Sequence, residues 1–172
     1  MAVEAIQQFN ADKILMTYGS SYHVSNDAED FEYNIAQRLQ ARIEGRLFFR
    51  VEKLVFDARH KVGQSGTPAG RGTALLRTMA WDLIHAGLGT GPRVNVVVRS
   101  HTHYHIWIEQ PNRIMFITPA LQLSRGRYGS RQCSGETHWG AIRLIIKGDQ
   151  IIERNIVCKR LTGNAQRIIK IR

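Results

Sequence analysis

The stretch Val94-Asn95-Val96-Val97-Val98-Arg99-Ser100-His101-Thr102-His103-Tyr104-His105 constrains this chain more than any other. Its apolar, β-branched first half has the composition of a strand covered on both faces, as in the parallel sheets of α/β proteins. The run then ends abruptly in three histidines at alternate positions, while the other four of the seven are scattered. A buried strand that delivers polar, metal-capable side chains at its C-terminal end is how many α/β domains build a site. If the strand continues through them, His101 and His103 point to one face, and His105 joins them if it runs further. Two or three imidazoles on one face suit a divalent transition metal, and a hydrogen-bonded structural cluster is the alternative. His105 lies between Tyr104 and Trp107, so packing or solvent exposure accounts for it equally well.

The rest of the chain alternates helix and strand before this stretch and turns to strands after it. Ala2 to Asn10 has weak helical character, and Lys13 to Tyr18 reads as a short buried strand ending at Gly19. Phe31, Ile35, Leu39 and Ile43 recur every four residues, which predicts a helix from about Asp27 to Ile43 with Ser25 or Asn26 as N-cap. Leu47 to Phe56 gives one or two strands broken near Glu52-Lys53, followed by Asp57-Ala58-Arg59-His60 and a glycine-rich loop. Leu75, Leu76, Met79, Leu83 and Ile84 mark the apolar face of a second helix closing at Gly87. Beyond the histidines, Gln110-Pro111-Asn112 and Gly148-Asp149-Gln150 read as hairpin turns between strands. Leu121 to Thr137 reads as a long basic loop over the site, and Ile168 to Arg172 as a last edge strand.

A chain of 172 residues is expected to form a single domain spanning 1–172. No apolar run approaches the ~20 residues that span a bilayer, and a signal-peptide pattern is missing, so a cytoplasmic protein without a membrane partner is expected. Cys133 and Cys158 are too few and too far apart for a disulfide framework, and are read as thiols. Charge is unevenly placed: residues 1–86 hold 10 Lys/Arg and 10 Asp/Glu, residues 87–172 hold 14 and 4. The whole excess of +10 therefore sits in the histidine-bearing half, which favours an anionic substrate, with phosphate or nucleic acid first. Arg99, Arg125 and Arg127 are the candidate substrate contacts. The plain alternative is a solvated basic face.

His60 also ends an apolar strand, and parallel strands ending side by side would bring it next to His101. His23 lies in an earlier polar loop after a strand. With these residues in order, the chain resembles the C-terminal half of a calcineurin-like metallophosphoesterase. The resemblance runs from about Lys13 to Lys159 and is nearest to phage and bacterial phosphoesterases related to DNA-repair exonucleases. It rests on Tyr18-Gly19 to His23, Asp57-Ala58-Arg59-His60, Arg99-Ser100-His101-Thr102-His103 and Thr118-Pro119-Ala120-Leu121-Gln122. Ser100 stands where the family usually has glycine.

The resemblance implies an α/β fold: a partial metallophosphoesterase-like β-sandwich flanked by helices, with a β-rich C-terminal half. It implies a divalent metal (Mn, Zn, Fe or Mg), with His60 and His101 on one ion and His103 on the other. It implies hydrolysis of a phosphate ester or nucleic acid, in which His23 assists the leaving group. The family's Asp-x-His and Gly-Asp-x-x-Asp motifs precede the matching region. The expectation is therefore a fragment, one half of a split enzyme, or a descendant that kept the fold and lost catalysis. The sheet edge and apolar face left by a missing half predict association with an upstream half or as a homo-oligomer. Two other readings compete. One is a non-catalytic basic module that binds nucleic acid. The other is a single-metal cupin-like protein using His101, His103 and Glu109.

Overall fold

The computed structural model describes residues 2–20, 30–63, 67–121 and 137–161. It opens with α1 (Ala2–Gln7), then β1 (Leu15–Thr17), α2 (Phe31–Arg38) and β2 (Arg42–Glu44). Asp30 caps α2 by accepting the Tyr33 N–H at 2.9 Å, one of the donors a helix start leaves open. The helix is shorter than its apolar repeat predicts. Gln40 takes a left-handed φ of 51° just beyond it, and Ile43 then pairs in parallel with Met16 as part of β2. A four-residue repeat does not distinguish a helix from a shorter helix followed by a strand. The expected N-caps, Ser25 and Asn26, lie outside the described residues.

The main sheet follows. β3 (Leu47–Val51) reverses at Glu52-Lys53 into β4 (Leu54–Arg59), as the break in the sequence predicts. Next the chain crosses over through α3 (Thr73–Gly87) and returns as β5 (Val96–Arg99), parallel to β4. β6 (Ile106–Gln110) and β7 (Arg113–Ile117) form a hairpin about Pro111-Asn112, and β7 lies parallel to β5. The strand order is β3-β4-β5-β7-β6. β8 (Thr137–Lys147) and β9 (Gln150–Leu161) form a separate antiparallel pair about Gly148-Asp149.

Strand alternation sends neighbouring valines of β5 to opposite sides of the sheet. Val97 joins Leu75, Met115, Ile117 and Tyr104 under α3. Val96 joins Leu54, Phe56 and Phe116, which Ile142, Leu144, Ile146 and Ile151 of the β8–β9 pair cover. The protein is thus α/β, with a helix on one face of a mixed five-stranded sheet and a two-stranded sheet on the other. Met115 and Ile117 are fully buried, each contributing roughly 1.5–3 kcal/mol by leaving water.

α3 has the expected limits but not the expected inner face. Leu75 and Asp82 are its buried residues, with Met79 packed on the core, while Leu76, Leu83 and Ile84 are exposed. The helix is apolar on two sides, so its repeat cannot say which side the sheet takes. Among the described residues no helix is long and apolar enough to cross a membrane. Cys158 is a thiol, as expected; Cys133, residues 122–136 of the expected loop and the C-terminal edge strand fall outside the described residues, while Thr137 already begins β8.

Candidate functional site

The parallel pairing of β4 with β5 places Arg59 opposite Arg99, so the residues after each strand emerge side by side. The Ser100 N–H donates to the His60 carbonyl at 3.0 Å and extends the ladder one step past the strands. His60 and His101 follow from that register. His60 Nε2 lies 3.1 Å from His101 Nδ1, with ring centroids 5.0 Å apart and planes at 70°. Both rings are half-buried.

The strand does not continue through the histidines. β5 ends at Arg99, and His101 and His103 take left-handed φ values of 76° and 61°. Each such residue costs about 1–2 kcal/mol of backbone strain unless local bonding compensates. Alternation along a strand is therefore not what orients them; the bends are. Between and after them, Thr102 and Tyr104 are buried, and Thr102 Oγ1 and Tyr104 Oη have no hydrogen-bond partner among the described residues. Desolvated hydroxyls left unsatisfied each cost about 1–3 kcal/mol, and native structures tolerate few of them.

The bends are held from outside. The His138 N–H donates to the His103 carbonyl at 2.8 Å, and His138 Nδ1 accepts the His105 N–H at 2.9 Å. That second bond makes Nδ1 of His138 an acceptor, which leaves any ring proton on Nε2. His105 Nδ1 donates to the Ile117 carbonyl at 2.7 Å, so His105 packs as a structural residue. Ser100 and Thr118 meet hydroxyl to hydroxyl at 2.8 Å, and the Ala120 N–H donates to the His138 carbonyl at 2.8 Å. The Thr118-Pro119-Ala120 segment is thereby tied to both the histidine loop and the start of β8. His138 carries no signal of this role in the sequence, where it is one histidine near the start of an alternating strand.

Arg99 requires a correction. It was expected to meet substrate but is 3% exposed and faces inward. Its Nη2 bonds the Asp57 carboxylate, and its Nη1 donates to the Asp57 carbonyl at 2.9 Å and the Val98 carbonyl at 2.8 Å. Arg46 approaches the same carboxylate through Nε at 2.8 Å and Nη2 at 2.9 Å, and that Nη2 also reaches Asp82 Oδ1 at 2.8 Å. The physical reason is the fully buried Asp57 carboxylate, which cannot stay ionised without cations beside it. Burial alone would raise its pKa, but the Arg46 hydrogen bond and the Arg99 charge hold it below the ordinary carboxylate value.

The structure thus brings His60 and His101 together and sets His103 two residues away on the same loop. Among the described residues, no three His, Cys, Asp or Glu side chains gather into a group that could hold a metal ion. His23, Arg125 and Arg127 lie outside the described residues. Glu109, the third member of the cupin-like pattern, is bonded to the Trp107 indole N–H at 3.2 Å and to Arg154 at 3.1 Å. The main sheet, with its parallel central strands and crossover helix, is also not a cupin-type barrel.

No protein family and no curated protein matches the chain. Its fold is similar to several solved structures at low identity. One is zinc-complexed Vps29 from Entamoeba histolytica, at 12% identity and a TM-score of 0.48, covering 91% of this chain and 87% of that one. Another is an archaeal phosphodiesterase, at 16% identity and a TM-score of 0.49, covering 90% and 74%. A third is a predicted phosphoesterase from Streptococcus pneumoniae, at 9% identity and a TM-score of 0.41, covering 81% and 73%.

Proposed function

We propose that this protein is a metal-dependent phosphoester hydrolase, acting on a phosphate ester or nucleic acid, whose His60–His101 pair holds one divalent ion. The separation of the two ring nitrogens carries the reading. At 3.1 Å apart, both can sit roughly 2.0–2.1 Å from a single ion. The buried Thr102 and Tyr104 hydroxyls in the adjoining loop, without a partner among the described residues, fit a site that is completed by a ligand. Two neutral imidazoles favour zinc or iron over magnesium, which takes oxygen donors. When bound, such an ion supplies Lewis acidity to a phosphoryl oxygen and lowers the pKa of coordinated water.

This chain's own residues position the ligands. Ser100 N–H on the His60 carbonyl sets one loop against the other, and His138 clamps the histidine bends through two hydrogen bonds. The basic C-terminal half draws a polyanion toward them. Asp57, the acid nearest in sequence to His60, is committed to Arg46 and Arg99, so it cannot serve as a bridging carboxylate. The remaining ligands, and any second ion with His103, would come from an upstream segment or a second copy of the chain.

The test is calorimetric titration of Zn²⁺ and Mn²⁺ into the chain, alone and co-expressed with the preceding reading frame. Turnover of p-nitrophenyl phosphate and single-stranded DNA is followed alongside. The expected result is a bound ion that His60→Ala and His101→Ala remove equally, with turnover that follows the ion. An ion that binds undiminished in both variants, or turnover insensitive to both, would overturn the reading. Salt-dependent nucleic-acid binding that survives chelation and His101→Ala would favour the non-catalytic basic module instead.

A further inference from the structure

At the other end of the parallel strands from the histidines, three hairpin tips and the start of β5 frame an open cleft. It measures about 470 Å³, in the range of small-ligand sites. The Lys53 N–H donates to the Gly148 carbonyl at 2.9 Å, which fastens the β3–β4 turn to the β8–β9 turn and closes one wall. Left-handed φ values at Glu52, Asn112 and Gly148 make all three turns tight, so the wall is built from short, well-defined reversals.

The lining carries three cations, Lys53, Arg93 and Arg113, against two acids, Glu109 and Asp149. Among the described residues none of the three cationic side chains forms an ion pair or hydrogen bond. Of the two acids in the wall, Glu109 is already bonded to Arg154 and Trp107, and only Asp149 remains uncommitted. Asn95 adds a donor: its Oδ1 accepts the Val55 N–H at 2.9 Å, which turns the amide NH₂ to what remains. Arg113 is half-buried beside a like charge. Burial first, and then the Arg93 charge, push its pKa below the usual arginine value, and the acid acting on it is Asp82 rather than one in the wall. The exposed Arg93 and the half-buried Arg113 repel one another at the cleft wall, and an anion between them would offset that repulsion.

We propose that this cleft binds a phosphate monoester, its dianion clasped between Arg93 and Arg113 with Lys53 and the Asn95 amide as further donors. Guanidinium forks match the paired oxygens of a phosphate, and the volume leaves room for the small organic group of an ester. This site is separate from the histidines and does not depend on a metal, so it stands apart from the proposed hydrolysis.

The experiment uses the full chain in EDTA at low salt. Inorganic phosphate, glycerol 2-phosphate and malonate are titrated by calorimetry and by thermal unfolding, for the wild type, Arg93→Gln/Arg113→Gln and His101→Ala. The expected result is saturable binding of both phosphates, with malonate at least tenfold weaker. Affinity should fall at least tenfold in the double arginine variant and stay unchanged in His101→Ala. The double variant should melt close to the wild type without ligand, because neither arginine side chain forms an ion pair or hydrogen bond among the described residues. If it does not fold, Lys53→Gln, at an exposed side chain, should weaken phosphate binding by severalfold. Binding that survives the arginine or lysine changes, that is lost in His101→Ala, or that does not saturate would overturn the assignment.

Discussion

Arg99 of β5 reaches across to β4 and grips Asp57 twice, through its carboxylate and through its backbone carbonyl. Both side chains are almost wholly buried, and Arg46 completes the neutralisation from the protein surface. Asp57 and Arg99 lie three and two residues before His60 and His101, so the strand ends that carry the histidines are pinned together by the pair.

Breaking the pair from one side should therefore be expensive. Arg99→Ala leaves the buried Asp57 with Arg46 alone, and is expected to lower the unfolding free energy by about 3–5 kcal/mol. Urea denaturation measures it directly, and a cost below about 1 kcal/mol would show the pair to be dispensable. Because the pKa of Asp57 is depressed, its stabilisation is present above the unfolded carboxylate value and lost as pH falls through the folded one. Wild-type stability should accordingly drop in strong acid more steeply than that of Asp57→Asn.

Asp82 behaves in the opposite sense. Burial, then the charge of Asp57, raise its pKa, and its Oδ2 has no hydrogen-bond partner among the described residues. A raised value means that its contribution is fully present below the unfolded carboxylate pKa and is lost as pH rises through the folded one. Asp82→Asn keeps an oxygen for Arg46 and removes the charge. Its stability relative to wild type is expected to increase from pH 3 to pH 7, measured as the difference between paired denaturation curves. A difference that is flat with pH would refute this assignment.

Gly140 on β8 has φ 156°, and a Cβ there would lie 1.7 Å from the Val157 carbonyl oxygen of β9. Nothing on this backbone can yield that space without opening the strand pair. Gly140→Ala is expected to cost at least about 2 kcal/mol and to loosen the His138 clamp two residues earlier. By contrast Gly148, at φ 64° with nothing within 4 Å of a Cβ, should accept asparagine within about 1 kcal/mol. Thermal unfolding of the two variants side by side checks the contrast.

Trp107 lies between two partners, stacked on Phe116 at 5.0 Å and 6° and covered by the Arg154 guanidinium at 4.7 Å. Trp107→Ala should cost roughly 3 kcal/mol, since it empties the space between the sheet and the β8–β9 pair. Arg154→Gln should cost less than about 1 kcal/mol, because that side chain is half exposed and its ion pair is screened. Equal losses in the two variants would mean that the cation, not the ring, holds the layers together.

Much of this was legible in the residues. The β3–β4 break at Glu52-Lys53, the limits of α3 and the two hairpin turns beyond the histidines follow from local chemistry: turn formers between β-branched runs. The juxtaposition of His60 with His101 also followed, once their strands were read as parallel neighbours. What local pattern could not decide was direction. α3 carries apolar residues on two sides, and only packing chose Leu75 and Met79 over Leu83 and Ile84. The repeat through Ile43 looked helical because four-residue spacing is shared by a helix and by a helix that stops short of a strand.

The sequence by itself determined most of the elements, the cationic half and the histidines, because composition and spacing act over a few residues. The tertiary structure alone decided their roles. It drew Arg99 inward because Asp57 is buried and needs a cation, and it bent His101 and His103 out of the strand. It also brought in His138 from 35 positions beyond His103 to hold those bends. Charge burial and hydrogen-bond closure depend on which segments meet, and no window of the chain contains that information.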